Sequence, residues 1–459
     1  MITPLGVVLA FILIFWLVRH HIQISKNLPP GPKGLPILGN ILQLTSTPQL
    51  WILFDKMRTQ YGPIMSLSLA GQNFVVLNTR ATALELLGRR SANYSDRPAS
   101  VVADILGQST CLPFTKYGKQ WQRMRRVGHA VLNARAIAQY LPIQTDEAIT
   151  VTHKLLTDQL SPLSVKINRS ASSTIAVVYG KQLLEQASLA KVESTQSNLL
   201  TDPLQTLIQT VHPFTIAMCP GSHLVEYLPF LNYLPSAISK WKQDAKTGFE
   251  NASEVFTYYY NTTVKANQMQ PNLCVSLAEN EMASDFTEYE KAWLTGTISA
   301  ASLETTSITM LYFLYAMTLY PDVQQRAQEE LDRVVGRSRN PNFNDIEHLP
   351  YLRALVKEIL RWQPATPLGV PHATLEDDWY EGYLIPKGTT ILANIWSMNH
   401  DEDIYGPDVD QVKPERYLQQ SKDGTGFALL PQYENDDGHS TFGFGRRQAF
   451  DRNILTEQI

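Results

Sequence analysis

The chain has 459 residues, beyond the ~250–300 at which a single hydrophobic core stops growing, so it needs several domains or one large layered fold. Hydrophobic residues make up 44% and charged residues 18%, which excludes a disordered chain, and 39 Lys and Arg against 43 Asp and Glu leave a net charge of −4 with no bulk attraction for nucleic acid. Three cysteines (Cys111, Cys219 and Cys274) are too few and too scattered for a disulfide framework or a zinc cluster, in keeping with a reducing compartment.

Taken in chain order, Ile2 to Val18 is uncharged and is interrupted by a side-chain hydroxyl only at Thr3. A bilayer span typically needs ~20 apolar residues. Arg19, His20, His21 and Lys26 follow the run instead of preceding it. That order favours an anchor over residues 1–18, with the rest of the chain on the cytoplasmic side, rather than a cleaved signal peptide. Residues 19–40 are basic and then proline-rich (Leu28-Pro29-Pro30-Gly31-Pro32-Lys33-Gly34-Leu35-Pro36), a semi-rigid stalk. Asn-x-Ser/Thr sequons at Asn93, Asn168, Asn251 and Asn261 carry no weight in a domain that never meets the glycosylation machinery.

Behind the stalk, apolar alternation near Met65–Leu77 and Thr389–Trp396 predicts strands. Helical periodicity marks Ala300–Met317, Asp322–Val335 and Leu352–Trp362, with Asp322 and Asp345 near helix starts. No linker divides residues 41–459, so the prediction is one mainly α domain with a small β portion.

Several short motifs lie along this domain. Trp121 and Arg125 stand one helical turn apart. Ala301-Ser302-Leu303-Glu304-Thr305-Thr306 puts an acid and hydroxyls into an otherwise apolar helix. Glu358 and Arg361 share a helix face, and Lys413-Pro414-Glu415-Arg416-Tyr417 lies downstream of Tyr383–Thr389. The last is Phe442-Gly443-Phe444-Gly445-Arg446-Arg447. In this order and spacing the chain resembles the cytochrome P450 family, specifically its membrane-anchored fungal members, from the anchor to Arg447.

The resemblance implies a haem cofactor. It implies electrons from NADPH through a cytochrome P450 reductase on the endoplasmic-reticulum membrane, and insertion of one oxygen atom from O₂ into a small lipophilic substrate. Trp121, Arg125, Arg447 and His372 (in Gly369-Val370-Pro371-His372) fall where the family binds the haem propionates, and guanidinium–carboxylate bonds suit that task. Glu304 and Thr305 fall at the family's acid–alcohol pair for proton delivery, with Ser302 in place of the usual Gly. A helix bonding its own carbonyls through Ser and Thr is the alternative reading of that stretch. Glu358, Arg361 and Arg416 fall at a buried ionic cluster that is structural, not catalytic. Pocket-lining loops are expected around Ser100–Phe114 and Leu204–Leu234.

The family's iron-ligating Cys belongs two positions after Arg447, where this chain has Ala449 within Gln448-Ala449-Phe450-Asp451. Arg452 to Ile459 contain no long apolar helix of the kind expected to cover the haem, and so sharp a change looks like a frame or splice boundary. Cys111 is expected near the distal side, Cys219 and Cys274 in middle helices, and His439 in a solvated loop, which leaves no substitute ligand. The chain as written is therefore expected to give no thiolate-type carbon-monoxide band. A Cys at 449 alone is not expected to restore it fully. The alternative to a monooxygenase is a haem-free relative that binds or regulates at the membrane.

Overall fold

The structure, a computed structural model, describes residues 27–45, 47–157, 172–183, 202–218, 222–266, 271–421, 426–434 and 436–449. The expected anchor (residues 1–18) and the segment after Ala449 lie outside the described residues, as does Cys219. No described helix is long and apolar enough to cross a membrane.

Helices dominate: α1 (Leu50–Tyr61), α2 (Val101–Gly107), α3 (Lys119–Leu132), α4 (Leu141–Thr157), α5 (Ser172–Tyr179), α6 (Pro203–Met218), α7 (Lys240–Lys265), α8 (Glu288–Leu319), α9 (Pro321–Val334) and α10 (Pro350–Trp362). The main sheet is β1 (Ile64–Leu69), β2 (Gln72–Leu77), β6 (Thr390–Ala393) and β3 (His372–Ala373), in the order β1-β2-β6-β3. β1 and β2 form an antiparallel hairpin, β2 pairs parallel with β6, and β3 pairs antiparallel with β6 through His372 opposite Ile391. Two small antiparallel pairs, β4 (Asp378–Tyr380) with β5 (Tyr383–Ile385) and β7 (Leu418–Gln420) with β8 (Phe427–Leu429), complete the β portion.

The central helix α8 spans 32 residues and begins with a reciprocal cap. The Thr287 hydroxyl accepts from the Glu290 amide while Glu290 accepts from the Thr287 amide at 2.9 Å. It is buried along one stretch because Trp293 sits among Phe214, Phe249, Phe256 and Tyr289, at ring separations of 5.4–6.2 Å. Gly296 keeps the Phe256 ring close: a Cβ there would lie 2.3 Å from it. Pro321 then opens α9 and Pro350 opens α10, positions where a missing amide hydrogen costs nothing. The Glu330 carboxylate accepts from the Tyr351 and Leu352 amides at 3.1 and 3.0 Å, which locks α9 to the start of α10. Asp345 caps a short 3₁₀ turn, Phe343–His348, instead of a long helix.

Residues 29–40 of the proline-rich stretch lie against β1. Ser66 donates its amide to Pro30 and its hydroxyl to Pro29, at 2.9 and 2.6 Å, and the Asn40 amide donates to Ser68.

Candidate functional site

A cavity of about 250 Å³ lies between α8, α3, the β3–β6 end of the sheet and the loop Thr441–Ala449. Its walls are mostly apolar, with Leu112, Ile298, Val370, Ile395, Phe442 and Phe444 among them. Arg97, Arg125, Arg447 and His372 also line it, and no Asp or Glu does among the described residues.

Each of these groups is tied to backbone carbonyls. Arg447 donates to Ser95 at 2.9 Å, Thr115 at 2.7 Å and Leu112 at 3.4 Å, and its guanidinium stands 4.4 Å from the centre of the Trp121 ring. Arg97, almost fully buried, donates to Pro113, Val370 and Pro371 at 2.8, 2.9 and 2.6 Å. Arg125 donates to the carbonyl of Gln448. Carbonyls fix these forks in place but carry no countercharge. Burial, joined by the repulsion of Arg97, therefore pulls Arg447 down to about 8, and burial pulls Arg97 to about 10 against the attraction of Asp96. Such a site suits a ligand with an apolar body and at least two carboxylates, because the anions would restore both guanidinium charges.

His372 is buried on β3, and its Nδ1 lies 2.8 Å from the Tyr94 carbonyl. A carbonyl only accepts, so Nδ1 carries the proton. Burial, then the cations Arg97 and Arg447, push its pKa down to about 3. To donate Nε2–H to a carboxylate as well, His372 has to take up a second proton.

On α8, Thr305 lines the cavity and donates its hydroxyl to Ala301 of its own helix at 2.8 Å. Glu304 does not line the cavity: its carboxylate accepts from the Thr215 hydroxyl of α6 at 2.8 Å. Thr297 and Thr309 also donate to carbonyls one turn back. Ser302 is buried against a small separate void that it lines with Leu132 and Val178.

On the far side of the loop, Glu358 and Arg361 are fully buried and form a bidentate pair at 2.7 and 2.8 Å. Arg416 reaches the same carboxylate at 3.2 Å. Asp408, which the motif reading does not include, pairs with Arg416 at 2.5 Å.

Two expectations are corrected. His439 is not solvated: it is buried, accepts from the Thr441 amide at 3.2 Å and packs at 5.3 Å on Phe442. The polar run before it is held down by Arg80 on Asp436 at 3.2 Å and by Tyr405 on Gly438 at 2.7 Å. Of the loops expected to line the pocket, Leu112 and Pro113 do so, whereas no described residue of Leu204–Leu234 reaches it. Phe214 of α6 instead stacks on Phe114 at 6.1 Å, just beyond Leu112 and Pro113 in the chain. Cys111 is buried outside the cavity with its thiol pushed up to about 12 by burial, and Cys274 is likewise buried and raised.

The sequence profile of the family described as Cytochrome P450 matches residues 29–448. The chain belongs to the cytochrome P450 family. A cytochrome P450 monooxygenase of Armillaria gallica is 39% identical over 100% of this chain and 85% of its own length. Cytochrome P450 monooxygenase 58 of Postia placenta is 39% identical over 95% and 81%, and cytochrome P450 monooxygenase iboC of Amanita muscaria is 38% identical over 95% and 76%. The family implies haem iron.

Haem fits one end of this P450 cavity and not the other. Its two propionates match the cluster of Arg97, Arg125 and Arg447, and its ring matches the apolar walls. At the position of the iron-ligating Cys the cavity is lined by Ala449, held by its amide on the Phe442 carbonyl at 3.0 Å, and a methyl group donates nothing to a metal.

The buried imidazoles set an acid limit. His372 and His439 are held near 3 and His400 near 4, all chiefly by burial. Arg97 adds to it at His372, Lys357 at His439 and Arg361 at His400. Unfolded imidazoles take up protons near pH 6.5, so below that pH the unfolded chain binds more protons than the folded one. Stability is expected to be flat above about pH 7 and to fall by up to ~1.4 kcal/mol per pH unit per imidazole between 6.5 and the unfolding point. Urea midpoints measured from pH 8 to 5 check this. A constant midpoint would mean the imidazoles are solvated.

Proposed function

We propose that the cavity is the haem pocket of a monooxygenase that inserts one oxygen atom of O₂ into a small lipophilic substrate, in the manner of fungal secondary metabolism. The carrying observation is the cluster of three guanidiniums in an apolar cavity whose described lining residues include no Asp or Glu. Relatives named as monooxygenases favour this reading over a haem-free binding protein. In it Arg97, Arg125 and Arg447 bind the propionates, the Trp121 ring stacks on the Arg447 guanidinium, and His372 adds a donor once doubly protonated. Haem supplies the iron at which oxygen is activated, and Ala449 offers that iron no ligand, so no step at the metal is assigned to this chain. Electrons would come from NADPH through a reductase. Residues 1–18 would anchor the protein in the endoplasmic-reticulum membrane, with the P450 domain facing the cytoplasm.

Thr305 holds a hydroxyl at the cavity wall and Glu304 holds a carboxylate one residue away, on Thr215. For the two to pass protons in sequence, Glu304 has to leave Thr215 and Thr305 has to release Ala301. The test uses a tail-extended form that carries Ala449→Cys followed by an apolar C-terminal helix, supplied with haem, NADPH and a fungal reductase, with products screened by mass for one added oxygen. Product formation supports the reading, and its absence across lipophilic substrates counts against it. Adding Thr305→Ala to that form should leave haem content unchanged while NADPH consumption appears as hydrogen peroxide, because mistimed protonation releases reduced oxygen. Unchanged coupling would make Thr305 a packing residue.

A further inference from the structure

We infer that the cavity of this chain recognises the two carboxylates and the apolar ring of a tetrapyrrole and is indifferent to the metal at its centre. The inference rests on the haem-pocket reading and departs from it at the iron. Every strong group lining the cavity faces the carboxylate problem. Arg97 and Arg447 are pinned by three carbonyls each and Arg125 donates to the carbonyl of Gln448, while no Asp or Glu is among the described residues of the cavity wall. Fixed guanidinium forks lose little freedom on meeting a carboxylate, so a dicarboxylate gains charge-assisted bonds at a preorganised site.

Among the described residues the metal finds no comparable partner. Ala449 presents a methyl group where the family has sulfur. Neither Cys111 nor His439 lines the cavity, and both are buried elsewhere. The Thr305 hydroxyl is committed to Ala301. His372 is the one imidazole among the described residues of the wall, and it belongs to the carboxylate end: its neighbours in charge are Arg97 and Arg447, and Nδ1 is fixed on Tyr94. Binding free energy then comes from two carboxylates and a buried ring, and these are the same whether the ring holds iron, zinc or two protons.

The experiment titrates the detergent-solubilised 459-residue chain with ferric haem, zinc protoporphyrin, metal-free protoporphyrin and the dimethyl ester of metal-free protoporphyrin, reading porphyrin absorbance and emission. The three diacids are expected to bind within about threefold of one another, and the diester at least about tenfold more weakly. The Ala449→Cys chain is expected to tighten on ferric haem and on zinc protoporphyrin, whose metals both accept a thiolate, leaving the metal-free ring unchanged. Ferric haem binding about tenfold or more tightly than the metal-free ring to the unchanged chain would overturn the inference while leaving the haem-pocket reading intact. Equal binding of diester and diacid would overturn both, as would binding of no tetrapyrrole by either chain.

Discussion

Replacing Glu358 by Ala is expected to destabilise the fold by ~3–5 kcal/mol, the usual consequence of leaving one member of a buried ion pair alone. Arg361 is fully buried, and with Glu358 gone its remaining partners are the carbonyls of Asn399 at 2.8 Å and Gln411 at 3.1 Å. The Lys413 amide, which donates to Glu358 at 2.9 Å, loses its acceptor as well. The two arginines are not equivalent. Arg416 keeps Asp408 when Glu358 is removed, and Glu358 keeps Arg416 when Arg361 is removed. Arg361→Met should therefore cost less than Glu358→Ala. The double substitution Glu358→Ala/Arg361→Met should also cost less than Glu358→Ala alone, because it leaves no unpaired buried charge. Urea midpoints at constant slope measure all three. A double variant as unstable as the sum of its parts would mean that lost packing, not the stranded charge, dominates.

That cluster shows what kind of information the sequence carries. Glu358 and Arg361 meet within one helical turn, so spacing puts them on one face and the motifs that follow in order single the pair out. Trp121 and Arg125 share a face of α3 for the same reason. Contacts made across the fold leave no such trace. Arg97 stands in an undistinguished stretch, and two of the three carbonyls that hold it, Val370 and Pro371, are more than 270 residues away. Glu304 looks like a partner of its neighbour Thr305, but its carboxylate is taken by Thr215, 89 residues earlier. His439 follows Asp436 and Asp437 and so looks wet, yet Arg80 and Lys357 hold Asp436 from other elements and carry the imidazole inward. Local periodicity is written in the sequence, and burial of a polar residue depends on what the topology sets against it. The one warning available at Arg97 was the proline after it, which marks an extended turn without saying what the arginine meets.

The loop that carries Arg447 gives the second large effect. Gly445 has φ +61°, and a Cβ built on it would lie 2.0 Å from the Leu87 carbonyl oxygen and 3.0 Å from its carbon. That neighbour is backbone of the helical segment Leu84–Arg89, which cannot rotate aside as a side chain would. Gly445→Ala therefore combines a left-handed conformation with a steric clash and is expected to destabilise by ~2–5 kcal/mol. Gly443, two residues earlier, also has positive φ, at +75°, but nothing lies within 4 Å of its missing Cβ. Gly443→Ala should cost only the backbone strain, ~1–2 kcal/mol. The difference reaches the cavity. With Gly445 against Leu87, Arg447 arrives two residues on at the carbonyls of Ser95, Leu112 and Thr115, and Ala449 arrives at the wall. Lifting the loop by even an ångström breaks those bonds, so Gly445→Ala should weaken protoporphyrin binding as well as stability, whereas Gly443, which itself lines the cavity, is the comparison for stability alone. Equal losses in the two variants would show that conformational freedom, and not the approach to Leu87, is why glycine stands at 445.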